Sequence, residues 1–161
     1  MDDAILGIVG DIYDCAIGPE RWPPTPKRIA DYTGGDHAGI TVHEPLKRQL
    51  RWGAAWGLDP EAQCRYDAQF HAINPLLTAG WFMEIDEPCT SQSFMGDDFF
   101  SSRFYKEWVA PSGYYDAALT VFAKSSNRFA AIALPRAASR GQFTANDLAR
   151  MRVLARISAA P

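Results

Sequence analysis

The residues of this chain that best suit chemistry are aromatic side chains with a few polar groups between them. Tyr66 and Phe70 are four residues apart, so the two rings share one face of a helix, and Phe104 and Trp108 have the same spacing. Ring surfaces with a few polar anchors are typical of sites that bind largely apolar molecules. The sequence therefore predicts a ligand cavity between a sheet and the middle helices. Its expected lining residues are Tyr66, Phe70, Phe104, Trp108 and Tyr114, with Asn74 or Asp116 as polar anchors.

The same aromatic spacing is also typical of an ordinary protein core. Phe100, Phe104 and Trp108 recur every four residues, which is the pattern of any helix that buries one face. An interaction module without a ligand, in which the rings are only core, is therefore the alternative hypothesis. A cavity of ligand size would separate the two.

Catalysis and metal binding are not indicated by any motif. The sequence contains no G-x-S-x-G, G-x-x-x-x-G-K-[ST], G-x-G-x-x-G or H-E-x-x-H. His37, His43 and His71 have no metal-ligand spacing with one another or with the cysteines. We therefore expect a binding protein without a catalytic residue, a metal or a cofactor.

Composition limits the class of protein and its partners. A chain of 161 residues is most simply one domain, 1–161, that buries a sizeable core. The net charge of −3 argues against direct contact with nucleic acid, and no apolar run is long enough to span a membrane. Because Cys15, Cys64 and Cys89 are odd in number and scattered, we expect reduced thiols and a cytoplasmic location.

The elements that must position these residues alternate between helical and strand patterns in the order α-α-β-β-α-(β)-α-β-β-α. Residues 38–43 and 50–56 alternate as the two strands of a hairpin, and residues 114–123 and 128–134 predict a second pair. A short strand is expected near residues 90–94. Because the strands occur as hairpins, the sheet should be mainly antiparallel in an α+β fold.

Local signals mark where several helices begin. Asp59-Pro60 is a cap followed by proline at the first helical position, and Thr144 with Asp147 predicts a capping box for the last helix. Asp97 and Asp98 predict the start of a single aromatic helix that reaches Val109 and ends at Pro111.

Several segments in order resemble a known family. They are IGPERWP with KRIADYTGG, RWGAAWGLDPE, INPLL, SRFYKEWVAPSGYYDAAL and QFTANDLARMRVLARI. Together they resemble the N-terminal PAS/GAF-like sensor domain found ahead of a LuxR-type helix-turn-helix in bacterial transcription regulators. The resemblance implies a central antiparallel sheet of five or six strands with helices on both faces. It also implies a signal-receiving role, with the last helix leading to a DNA-binding domain in a longer regulator.

A neighbouring family is the acyl-homoserine-lactone-binding domain of quorum-sensing regulators. That family pairs a Trp with a Tyr four residues later and then carries Asp-Pro. Tyr66 and Asn74-Pro75 resemble the later parts, but no Trp lies four residues before Tyr66, and Asn74 replaces the Asp that would bind the lactone amide. An autoinducer is thus a second alternative for the ligand.

The terminal helices carry more apolar surface than one sheet face needs. The first helix has Ile5, Ile8 and Ile12 in one row with Leu6 beside it, and the last has Val153 outside its main stripe. Such surplus predicts a homodimer through the terminal helices, with Ile8 and Val153 in the contact.

Overall fold

The computed structural model describes residues 3–17, 20 and 22–158, and within that range it contains seven α-helices and five strands. The helices are α1 (Asp3–Ile17), α2 (Thr25–Thr33), α3 (Pro60–Arg65), α4 (Pro75–Phe82), α5 (Ser91–Met95), α6 (Asp98–Ser101) and α7 (Ala145–Ser158). The strands are β1 (Ala38–Glu44), β2 (Gln49–Trp56), β3 (Cys89–Thr90), β4 (Tyr114–Lys124) and β5 (Phe129–Ala137). Two π-helical turns, Tyr66–Phe70 and Tyr105–Val109, follow α3 and α6. Short 3-10 turns lie at Pro45–Lys47, His71–Ile73 and Ala138–Arg140.

The five strands form one antiparallel sheet in the order β2-β1-β5-β4-β3. Both predicted hairpins are present, β1 with β2 and β4 with β5, and they are joined by pairing of β1 with β5. The predicted α+β fold with a central antiparallel sheet of five or six strands is confirmed.

Helices cover both faces of the sheet, as the resemblance implied. On one face α1, α2 and α7 pack against the strands through a core that includes Ile8, Ile29, Ile132 and Leu154. On the other face α4 packs on β4 and β5 around Phe129. Next to α4, the two π-helical turns form an aromatic cluster around Trp108. Among the described helices, none is long and apolar enough to cross a membrane.

The predicted helix starts agree with the observed hydrogen bonds. The Asp59 carboxylate accepts the Ala62 N–H at 2.9 Å at the start of α3. At the start of α7 the Thr144 hydroxyl accepts the Asp147 N–H, and the Asp147 carboxylate accepts the Thr144 N–H in return. Each of these bonds joins residues three positions apart, which is why the sequence alone predicts both helix starts.

The predicted single aromatic helix is instead broken at Ser102, and this is a correction. Ser102 is extended (ψ 151°), and its hydroxyl accepts the Tyr105 N–H at 3.1 Å, so it caps a second helical stretch. The break rotates the first turn, so that Phe99 is 0% exposed and Phe100 is only half-buried. The predicted continuation of one apolar face from Phe100 to Trp108 was therefore wrong.

The short strand is also shorter than predicted, because it ends in a helix cap. Thr90 and Ser93 form reciprocal side-chain to backbone bonds, which start α5 and end β3 after Cys89–Thr90. Cys64 and Cys89 are free thiols, while the side chain of Cys15 lies outside what the structure describes.

Candidate functional site

A cavity of about 480 Å³ lies between the sheet face that carries α4 and the two π-helical turns. Its floor is formed by β1, β2, β4 and β5, and its roof by α3, the first π-helical turn, the start of α4 and the second π-helical turn. Cavities of roughly 300–1,000 Å³ are typical of small-molecule sites. The space is thus of ligand size.

The floor is open because small residues meet across the strands. Gly39 of β1 pairs with Ala55 of β2 on one side and with Ala133 of β5 on the other, and all three line the cavity. A Cβ atom on Gly39 would meet its nearest neighbour only at 3.9 Å. Small side chains in the interior of a covered sheet leave room for something else to approach the backbone.

The roof is aromatic, and both of its π-helical turns contribute rings. Tyr66 and Trp108 pack with ring centroids 5.3 Å apart and tilted planes, so the two turns contact each other over the cavity. Arg65 lies over the Trp108 ring at 5.4 Å. π-Helical turns are rare and often occur at functional sites, because the widened turn re-aims side chains.

The structure brings together six of the seven residues proposed from sequence. Tyr66, Asn74, Phe104, Trp108, Tyr114 and Asp116 all line the cavity. Phe70 does not line it. The Phe70 ring stacks on Trp108 at 5.4 Å and is buried in the aromatic cluster, where it supports the roof.

Asn74 is held by two hydrogen bonds within the protein. Its side-chain oxygen accepts the Leu76 N–H at 2.9 Å and caps α4, and its amide donates to the Tyr66 hydroxyl at 2.8 Å. Burial raises the pKa of Tyr66 to about 12, so the phenol stays protonated. The Tyr66 oxygen accepts from Asn74, and among the described residues its own O–H has no acceptor, so it can donate into the cavity.

Asp116 is also held, although it is buried. Its carboxylate accepts the Ala117 N–H at 2.8 Å, and the start of α5 supplies further donors from Thr90, Ser91 and Gln92. Burial raises the pKa of Asp116, while these hydrogen bonds act in the opposite direction. The carboxylate therefore joins β4 to α5 at one end of the cavity.

Three histidines also line the cavity, His37, His43 and His71. The sequence analysis considers them only as possible metal ligands. His43 and His71 stack with centroids 5.5 Å apart, and Nδ1 of His43 lies 3.3 Å from Nε2 of His71. Nε2 of His43 lies 2.6 Å from the Thr41 hydroxyl, and His71 also bonds the Arg48 backbone. If His71 donates to the Arg48 carbonyl, it accepts from His43, and His43 accepts from Thr41.

All three imidazoles are neutral at physiological pH. Burial lowers the pKa of His37 to about 4. Burial, together with the nearby His71, lowers the pKa of His43 to about 3, and burial also lowers the pKa of His71. The sequence did contain a signal that His43 lines the cavity. Alternation along β1 places His43 on the same face of the sheet as Gly39 and Thr41, which are also wall residues.

Comparisons with known proteins identify the fold. No family model matches the chain, and no curated protein sequence does. Among solved structures, the ligand-binding domain of VqsR from Pseudomonas aeruginosa superposes with a TM-score of 0.68 at 12% identity, covering 94% of each chain. CepR2 from Burkholderia cenocepacia, an N-acylhomoserine-lactone-dependent LuxR-family transcription factor, gives 0.66 at 15% identity, covering 98% of this chain and 92% of CepR2.

The chain has the fold of a LuxR-family ligand-binding domain.

A third neighbour was solved with a small molecule bound. SdiA, known from Escherichia coli, was solved in complex with octanoyl-rac-glycerol, and that structure superposes with a TM-score of 0.60 at 17% identity. The alignment covers 98% of this chain and 58% of SdiA.

Metal chemistry is not favoured by the side chains in this LuxR-type fold. Among residues 3–17, 20 and 22–158, no group of three His, Cys, Asp or Glu side chains is placed to hold a metal ion. The His43–His71 pair is engaged with Thr41 and the Arg48 backbone instead. The arrangement suits the enclosure of an apolar molecule with a few hydrogen bonds.

Proposed function

We propose that this chain is a non-enzymatic, cytoplasmic sensor domain of a bacterial transcription regulator. It binds a small, largely apolar molecule and relays binding through α7 to a DNA-binding domain, without contacting nucleic acid or a membrane itself. The observation that carries the proposal is the cavity of about 480 Å³, with a floor of small residues under an aromatic roof. A core that served stability alone would fill such a space, because protein interiors are close-packed.

A polar connection joins the cavity to α7 and supports the relay. Asp116 and Pro135 line the cavity, and Arg136 follows Pro135 along β5. The Arg136 guanidinium donates to Asp147 of α7 at 2.9 Å and to the Gly34 carbonyl after α2, also at 2.9 Å. Movement of β5 on ligand binding would therefore move the start of α7.

Filling the cavity should weaken binding strongly. In Ala133→Phe a ring would enter the space above the floor, so a neutral fluorescent apolar probe such as N-phenyl-1-naphthylamine should bind at least about 30-fold more weakly, a change of about 2 kcal/mol. Ala123→Phe is the matched control, because Ala123 is exposed near the end of β4. Titrations of probe fluorescence measure both. Equal affinity in the two variants would reject the cavity as the binding site, and no binding to the unmodified chain would favour the ligand-free interaction module.

Acyl-homoserine lactones are the second candidate class of ligand. The shared fold of CepR2 and the position of Tyr66 and Asn74 in the cavity wall favour them. Two features of Asn74 disfavour them. An amide stands where that family has the carboxylate that would accept the ligand N–H, and the Asn74 side chain is already bonded to the Leu76 N–H and the Tyr66 hydroxyl. Displacement of the same probe by N-octanoyl-homoserine lactone would separate this class from others.

The dimer is also part of the proposal, with one change of residue. Ile8 is 2% exposed and belongs to the core between α1 and the sheet, so the expectation that it lies in a dimer contact was wrong. Leu6 is 49% exposed and Val153 is 40% exposed, on two helices that pack against each other. These two side chains are the ones that a symmetric partner would cover.

Placing charges on this surface should yield a folded monomer. The double variant Leu6→Glu, Val153→Glu should sediment as a monomer, because two buried carboxylates would face two others across the symmetry axis. Leu46→Glu is the control, since Leu46 is exposed at the β1–β2 hairpin. A monomeric unmodified chain at micromolar concentration would contradict the dimer.

A further inference from the structure

A chain of hydrogen bonds runs through the cavity wall and ends on the floor at Thr41. Its first bond joins the His71 ring to the Arg48 backbone, and this bond acts to raise the pKa of His71, as a carbonyl acceptor does. Nε2 of His71 lies 3.3 Å from Nδ1 of His43, and Nε2 of His43 lies 2.6 Å from the Thr41 hydroxyl. Because burial keeps both rings neutral, each ring has one N–H and one acceptor nitrogen.

The first bond fixes the direction of all the others. His71 donates to the Arg48 carbonyl, so its other nitrogen accepts from His43. His43 therefore carries its hydrogen on Nδ1, and its Nε2 accepts from the Thr41 hydroxyl. Within the described part of the chain, no other group bonds to that hydroxyl. Thr41 is thus left with unused acceptor lone pairs and no hydrogen to donate.

The Thr41 side chain stands in an open part of the cavity floor. Thr41 is only half-buried, and because β1 is paired along both edges, the accessible part of Thr41 is its side chain. The neighbours on this face are small: Gly53 is opposite on β2, Ala131 is opposite on β5, and Gly39 precedes by two residues. A Cβ atom on Gly39 would meet the Thr41 methyl group first, at 3.9 Å. The residues beside Thr41 on the sheet therefore leave its hydroxyl uncovered towards the cavity.

We propose that Thr41 determines ligand specificity by accepting a hydrogen bond from a neutral donor group on the ligand, of which an alcohol hydroxyl is the simplest. His43 and His71 are positioning residues, which act through Thr41 by holding its hydrogen away from the ligand. This inference rests on the proposed sensor function and adds the polar group that the apolar ligand carries and the residue that binds it. A ligand with an acceptor alone gains no hydrogen bond from Thr41.

Two isomers with one oxygen each test the preference for a donor, 1-octanol and heptyl methyl ether. Each is titrated against the unmodified chain preloaded with N-phenyl-1-naphthylamine, and displacement constants are corrected for the affinity of the probe. We expect 1-octanol to displace the probe at a concentration at least about tenfold lower than the ether. Without an acceptor for its hydrogen the alcohol would bind more weakly, because burying an unpaired hydroxyl costs free energy. Equal displacement, or stronger displacement by the ether, would overturn the proposal.

Variants of Thr41 test whether this residue supplies the acceptor. Thr41→Val keeps the branched shape, and its added methyl group covers Nε2 of His43, so the preference for 1-octanol should disappear while the ether binds as before. Thr41→Ser keeps the hydroxyl and should restore the preference. Thr120→Val is the matched control, because Thr120 is buried beside Ile132 on the sheet face that carries α7. Urea melts establish that the variants are folded. A preference that persists in folded Thr41→Val would reject Thr41 as the ligand contact.

The positioning role of the histidines has a separate readout. His71→Phe keeps a ring beside His43 but removes the acceptor for its Nδ1 hydrogen. His43 can then carry its hydrogen on Nε2 and donate to Thr41, whose hydroxyl becomes a donor. The ratio of the two displacement constants should fall to about one, because Thr41 no longer favours a donor. A purely structural role would weaken both compounds alike, so an unchanged ratio would reject His71 as a positioning residue.

The assay separates failure of this inference from failure of the proposed function. If the apolar probe does not bind the unmodified chain, the cavity is not a ligand site and both fail. If the probe binds but the two isomers displace it equally, or neither displaces it, the sensor function stands and recognition of a donor by Thr41 is rejected.

Discussion

Replacing Arg136 with Met is expected to lower the free energy of unfolding by about 3–5 kcal/mol, the usual cost of removing one partner of a buried ion pair. Arg136 is buried, and besides Asp147 and Gly34 its guanidinium donates to the carbonyls of Gln142 and Thr33. It also lies over the Phe143 ring at 3.9 Å. Met has similar length but no donor, so it would leave these acceptors unpaired.

The exposed pair of Arg103 and Glu107 provides the control. Their side chains are 65% and 50% exposed, so Arg103→Met should cost less than about 1 kcal/mol. Urea unfolding followed by circular dichroism measures both variants. A similarly small loss for Arg136→Met would show that Arg136 does not hold α7 to the sheet, and the proposed relay would lose its structural basis.

Stability should also fall by about 4 kcal/mol when the pH is lowered from about 7.5 to about 5, because of the buried histidines. The pKa of His37 is about 4 and that of His43 is about 3 in the folded chain, both lowered mainly by burial. An unfolded chain binds a proton at each imidazole near pH 6.5. Between these values the unfolded state binds more protons, so stability is complete above about pH 6.5 and is lost as the pH falls towards the folded values.

Two carboxyl groups modify this pH dependence at its acidic end. Burial raises the pKa of Asp116, so its protonation favours the folded state and opposes the histidines at low pH. Burial alone would raise the pKa of Asp147, but hydrogen bonds from Thr144 and Arg136 outweigh it and lower that pKa, so Asp147 adds to the acid loss. The effect of Asp147 begins near the ordinary Asp pKa of about 4, whereas that of Asp116 begins above this value, because its folded pKa is raised.

Urea unfolding at a series of pH values checks this expectation. His37→Phe should remove close to half of the loss, because one of the two strongly shifted histidines no longer takes up a proton on unfolding. An unfolding free energy that stays constant from about pH 7.5 to about pH 5 would mean that the imidazoles are hydrated in the folded chain.

The sequence by itself determined the elements whose causes are local. Alternating residues predicted both hairpins, and side chains that bond to the backbone three residues away marked the starts of α3 and α7. The aromatic spacing also selected Tyr66, Phe104 and Trp108, which the structure brings to one cavity. The predictions of the hairpins and of the two helix starts succeeded because each depends on side-chain period or on a cap within one turn.

Only the tertiary structure decided which of these elements enclose a space and which fill it. Ser102 breaks the aromatic helix, and Phe70 lies behind Trp108. The open floor exists because pairing of β1 with β5 sets Gly39 beside Ala133. The contact of His43 with His71 likewise joins residues that are 28 positions apart in the chain. Such contacts depend on strand register and helix packing between distant segments. A local pattern does not contain that information, because the same residues would form a filled core in another register.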